Sequence, residues 1–152
     1  MKKVIIAIDY TPASEKVAET GYALVKAIKA EVAIVHVITE AAFYAMDYAP
    51  IMGYKGGYTT GTLEVLDDIT KEAENFLAAS VKHLGDSSIT TMVLQGETRA
   101  AILQCSIDWN ADLIILGSHN HHGLERLFST DLASYILKHS KIPLLAIPTN
   151  EN

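Results

Sequence analysis

The sequence predicts an α/β fold, a five-stranded parallel sheet with helices on both faces. Two observations carry the prediction. Five short apolar runs alternate with segments of helical period along the chain. The runs are unbroken rather than apolar-polar alternating, as expected of strands buried on both sides. Strands that alternate with helices in this way form parallel sheets.

The first run, Val4 to Ile8, is β-branched apart from Ala7. After Asp9-Tyr10-Thr11-Pro12, the segment Ala13 to Lys29 places Val17, Gly21, Leu24, Val25 and Ile28 at three- and four-residue spacing, with Ser14 or Thr11 as a candidate cap. Val32 to Ile38 is the second strand. Thr62 to Leu84 is helical in period through Leu66, Ile69, Ala73, Phe76 and Leu77, and Gly85 ends it at the C′ position. Ile89 to Leu94 is the third strand, Glu97 to Trp109 the third helix and Leu113 to Leu116 the fourth strand. Leu132 to His139 is the fourth helix and Leu144 to Ile147 the fifth strand. Pro143 and Pro148 bracket that last run, which suits an edge strand or its ends better than a central one.

In such sheets ligands bind beyond the carboxyl ends of the strands, near the topological switch point. Those ends are Asp9-Tyr10-Thr11, His36-Val37-Ile38, Gln95-Gly96 and Gly117-Ser118-His119. The connection from Thr39 to Gly61 breaks the pattern. It carries Tyr44, Tyr48, Tyr54, Tyr58, Met46, Met52 and four glycines. Connections this long are usually functional or disordered, and the Tyr and Met content points to a surface that packs on something. A lid, a partner contact and a cover over the strand ends all fit. No internal repeat or linker is visible, so residues 1–152 read as one domain.

A formal charge of -6 argues against nucleic acid or an anionic membrane surface as partner. No apolar run reaches the roughly 20 residues needed to span a bilayer. The N-terminal run stops at Asp9, too short for a secretory signal, and the expected location is the cytoplasm. Cys105, the sole cysteine, excludes an intrachain disulfide and lies in a helical pattern as a buried, inert thiol.

The strong catalytic and phosphate-loop signatures are missing. There is no G-x-x-x-x-G-K-[ST], no G-x-S-x-G, no H-E-x-x-H, and DYTPAS stands where a G-x-G-x-x-G would follow the first strand. Nothing in the residues points to an enzyme. Asp9 is the best single polar candidate, able to accept from a ribose or an adenine amino group, or to pin the turn before the helix. His36 reads as a core histidine. His119, His121 and His122 read as surface polar residues of the loop, so no metal is expected.

Four stretches together resemble the universal stress protein (UspA-type) family. They are KKVIIAIDYTPASEKVAETGYALVKAIKAEVAIVHVI, GETRAAILQCSIDWNADLIILGSH, LERLF and SYILKHSKIPLLAIP. The likeness runs from Lys2 to Pro148, apart from the Tyr-rich connection. It implies the adenine-nucleotide α-hydrolase-like fold and a homodimer paired through the last strand, Leu144 to Ile147, together with an unidentified protein partner.

The family divides into members that bind ATP and members that do not. Binders carry a glycine after the fourth strand, another three residues on, and Gly-Ser or Gly-Thr after nine more. Such glycines let backbone N–H groups approach phosphates, and the pair opens a helix whose N-terminus favours anions. Carried onto this chain, Gly117 keeps the first position, Asn120 replaces the second glycine, and Thr130-Asp131 replaces the pair. The resemblance places Asp9 at the adenosine-binding aspartate, Val37 where backbone meets adenine, Ala7 beside it and Leu116 before Gly117. The adenosine half is thus kept and the phosphate half is degenerate. The resemblance implies a non-catalytic stress-response regulator with no firm cofactor. The alternative is a member whose ATP or AMP state controls its partner.

Overall fold

The computed structural model describes residues 1–39, 51–54, 65–118 and 132–149. Its strands are β1 (Lys3–Ala7), β2 (Glu31–Ile38), β3 (Thr90–Gln95), β4 (Leu113–Ser118) and β5 (Leu144–Pro148). The helices are α1 (Ala13–Ile28), α2 (Val65–Leu84), α3 (Thr98–Asp108) and α4 (Leu132–His139). The strands form one sheet of order β3-β2-β1-β4-β5, every pairing parallel. In register, Ile6 of β1 sits between Ile34 of β2 and Ile115 of β4.

The unbroken apolar runs are explained by burial on both faces. Val4 and Ile6 turn to one side with Val17, Tyr22 and Val25 of α1 and with Phe76 and Leu77 of α2. Ile5 turns to the other, beside Cys105 of α3. Ile114 and Leu116 meet Ile102 of α3 and Ile136 of α4 on that same face. Gly21 sets how closely α1 approaches the sheet. A Cβ there would stand 3.0 Å from Ile6 Cδ1 and 3.3 Å from Ile115 Cγ2.

Element ends differ from the sequence expectation by small amounts with local causes. Strand β4 runs on to Ser118 because Gly117 and Ser118 pair with Ile147 and Pro148 of β5. Strand β5 lies at the sheet edge, where its flanking prolines cost no ladder bond on the open side. Gly85, at φ 73°, closes α2, its N–H reaching the Val81 carbonyl at 3.0 Å. Neither Ser14 nor Thr11 caps α1 through its side chain. Both are instead bound to Asp9. The expected start of α2 at Thr62 lies outside the described residues.

Of the long connection, Thr39, which borders a cavity at the carboxyl ends of the strands, and Ile51–Tyr54 are described. The latter is a tight reversal in which the N–H of Tyr54 donates to the Ile51 carbonyl at 2.7 Å, with positive φ at Met52 and Gly53. Ile51 and Met52 are buried in the α1–α2 face of the core, and the Tyr54 hydroxyl donates to Glu72 of α2. This short piece covers the protein's own core. No described helix is long and apolar enough to cross a membrane.

Candidate functional site

The chain leaves β1 toward β2 and β3 on one side, then returns to place β4 and β5 on the other. The switch point therefore lies between the carboxyl ends of β1 and β4. A cavity of about 390 Å³ opens there. Five of the sequence-nominated residues border it: Ala7, Asp9, Val37, Leu116 and Gly117. Asn120, Thr130, Asp131 and the three histidines His119, His121 and His122 lie outside the described residues.

Three strand ends and three helices build the walls. Ala7, Val37 and Leu116 supply apolar surface from β1, β2 and β4, and Ile102 and Leu132 close it from α3 and α4. The volume and the mainly apolar lining are those of a small-molecule site, with a few polar groups to orient the occupant.

Asp9 is the most heavily engaged of those groups. Its Oδ1 accepts from the Thr11 backbone N–H at 2.9 Å and from the Thr11 hydroxyl at 2.5 Å. The Ser14 hydroxyl accepts the Asp9 N–H at 2.9 Å, and it lies 2.6 Å from the Asp9 carbonyl and 2.9 Å from Oδ1. One carboxylate oxygen thus pins the β1–α1 turn. This is the turn-forming role the sequence allowed, and it fixes the carboxylate at the cavity wall.

Tyr10 and His36 lie at strand ends the sequence pointed to, although His36 reads there as a core residue; Thr98 and Ser14 carry no such signal for this wall. His36 is 4% exposed. Its Nδ1 lies 2.9 Å from the Ile8 carbonyl. A carbonyl only accepts, so Nδ1 carries the proton and Nε2 is the acceptor of a neutral imidazole. Nε2 is buried with no hydrogen-bond partner among the described residues. The ring packs 4.4 Å from that of Tyr10 and 5.6 Å from that of Phe76, centre to centre. Burial holds the imidazole below its ordinary basicity, against the opposing pull of the Ile8 carbonyl and the Asp9 charge.

This has a stability consequence. The folded pKa lies below the unfolded value near 6.5, so the unfolded chain binds the proton more readily. The contribution of neutral His36 is therefore complete above about pH 6.5 and is lost as pH falls from there toward the folded pKa. Denaturant midpoints measured from neutral to mildly acidic pH should fall with pH in the wild type and fall less in His36→Leu. Equal slopes would show that His36 carries none of the dependence.

Thr98, the first residue of α3, also borders the cavity. That helix end is already capped by the chain's own carboxylate. Glu97 accepts the Ala100 N–H at 2.9 Å and pairs with Arg99 Nε at 2.8 Å. These bonds, the Arg99 one foremost, hold the Glu97 carboxyl below its usual range. Among the described lining residues, the Thr11 and Ser14 hydroxyls are both bound to the Asp9 carboxylate, which is spent on holding the turn. Cys105 lies in a separate groove beside Trp109, its thiol pushed up by burial.

Comparison with known proteins gives a consistent result. The family model described as the universal stress protein family matches residues 1–148. A universal stress protein of Methanocaldococcus jannaschii is 26% identical over 149 residues, covering 96% of this chain and 81% of that protein. Among solved structures, a universal stress protein in complex with cAMP superposes with a TM-score of 0.61 at 18% identity, covering 98% of both chains. A universal stress protein family protein from Arabidopsis thaliana, solved with AMP bound, gives 0.57 at 15% identity over 99% of this chain and 93% of its own.

Proposed function

The chain belongs to the universal stress protein family, and from that membership we propose a non-catalytic, cytoplasmic stress-response regulator that works as a homodimer. Its cavity takes the adenosine part of a nucleotide and rejects the triphosphate. The observation that carries this reading is the gathering of Ala7, Asp9, Val37, Leu116 and Gly117 around one cavity at the switch point. The sequence beyond Gly117 supplies Asn120 and Thr130-Asp131 in place of the residues that seat phosphates.

A calorimetric titration with AMP tests it. Saturable binding of one equivalent per chain is expected, and no heat of binding up to millimolar AMP would contradict the reading. A second reading, in which nucleotide occupancy controls the choice of protein partner, draws support from the structural relatives solved with cAMP and with AMP.

The dimer would form through β5, whose outer edge has no strand partner among the described residues. Leu145 is the second of its five residues and packs half-buried against the core. A glutamate there would put like charges beside the paired edge and bury them on pairing. Leu145→Glu should sediment as a monomer. An unchanged dimer would move the interface elsewhere.

A further inference from the structure

We propose that Glu15, Glu19 and His83 form a binding site for a borderline divalent cation of the Zn²⁺ type, tying α1 to α2. Glu15 and Glu19 stand four residues apart on α1, which brings both to one side of the helix. His83 comes from the last turn of α2. Its Nε2 lies 2.7 Å from Glu19 Oε1 and 4.0 Å from Glu15 Oε1, and all three donor atoms lie within 4.8 Å of one another.

Charge sets this cluster apart from an ordinary surface ion pair. Two carboxylates converge on an imidazole, which is a cation only when protonated. Among the described residues no lysine or arginine comes within 4.0 Å of either carboxylate. A divalent ion placed among them would balance the two carboxylates.

One imidazole nitrogen and two carboxylate oxygens suit zinc, with a water in the fourth position. Magnesium and calcium take oxygen donors and would leave the imidazole unused. Donors at zinc distances of about 2.0–2.2 Å stand roughly 3.3–3.6 Å apart in a tetrahedron. The observed separations bracket that spacing, so small rotations suffice. The three side chains are 32%, 47% and 52% exposed for His83, Glu15 and Glu19, open to an ion from solvent and free to turn. The two helices are also held together nearby, since the Tyr22 hydroxyl of α1 donates to Asp86, just beyond α2, at 2.5 Å.

The bound ion would fix the first turns of α1 to the last turn of α2. The same stretch of α1 carries Ser14, whose hydroxyl holds Asp9 at the cavity wall.

The test is a calorimetric and thermal-melt titration of the full chain with ZnCl₂ after chelator treatment. It is run on the wild type, on His83→Gln, on Glu15→Gln/Glu19→Gln, and on a variant with His119, His121 and His122 all changed to Asn. The expected result is one equivalent of Zn²⁺ with a raised melting temperature. Either α1–α2 variant should weaken binding by roughly tenfold or more, with its metal-free melt unchanged, while the loop variant binds like the wild type. Lack of saturable binding would overturn the site. So would binding that survives in both α1–α2 variants or disappears in the loop variant.

Discussion

Phe76→Ala will destabilise the protein by roughly 3–5 kcal/mol, the range for removing a large buried aromatic. Phe76 is fully buried at the junction of three parts of the chain. Its ring stands 4.8 Å from Tyr10 on the cavity wall, 5.6 Å from His36 of β2 and 5.5 Å from Tyr54 of the described turn. Ring edges and faces at such separations add to the area term, and none of these neighbours can fill the gap without leaving its own contacts. Native domains hold only about 5–15 kcal/mol, so the loss is a large share of the total. Denaturant unfolding will show it as a lowered midpoint, and Ile51–Tyr54 should become accessible to protease. A loss below about 1 kcal/mol would mean that the aromatic cluster closes over the gap.

The features legible in the sequence were those written in local pattern. The run Val4 to Ile8 announced a strand buried on both faces, and Val4, Ile5 and Ile6 are fully buried. Pro143 and Pro148 announced an edge, and β5 is one. The stripe containing Gly21 announced the inner side of α1, although the reason for glycine, the nearness of Ile6 and Ile115, needed the packed sheet. The cavity was half legible. Residues at strand ends could be nominated because the strands could, and Asp9 and Gly117 face the same space for that reason.

What stayed hidden depends on residues far apart in sequence. His36 read as a core histidine, and it is buried. That its Nδ1 would meet the Ile8 carbonyl, leaving Nε2 at the cavity wall without a partner among the described residues, follows from the β1–β2 register. The Glu15, Glu19 and His83 cluster joins residues more than sixty positions apart, and no spacing rule links them. Asp9 takes the hydroxyls of Ser14 and Thr11 and leaves α1 without a side-chain cap, a contest decided by turn geometry rather than composition.

On the proposed function, the adenosine half of the site is kept and the phosphate half is not. That difference rests on one charge. A carboxylate at position 131 precedes α4, which begins at Leu132. In that place it would compete with a ligand phosphate for the helix N–H groups and repel it. Two unit charges about 4 Å apart at an effective dielectric near 20 interact by roughly 4 kcal/mol before screening. The helix dipole offers an anion only about 0.3–2 kcal/mol in return. On those magnitudes repulsion would win, and it would grow with phosphate charge, penalising AMP less than ATP.

The most direct measurement is a calorimetric comparison of AMP and ATP on the wild type and on Thr130→Gly/Asp131→Ser. Wild type should bind AMP better than ATP, and the double variant should gain ATP affinity by roughly tenfold or more while AMP changes little. Micromolar ATP binding by the wild type, with no gain in the double variant, would contradict this reading.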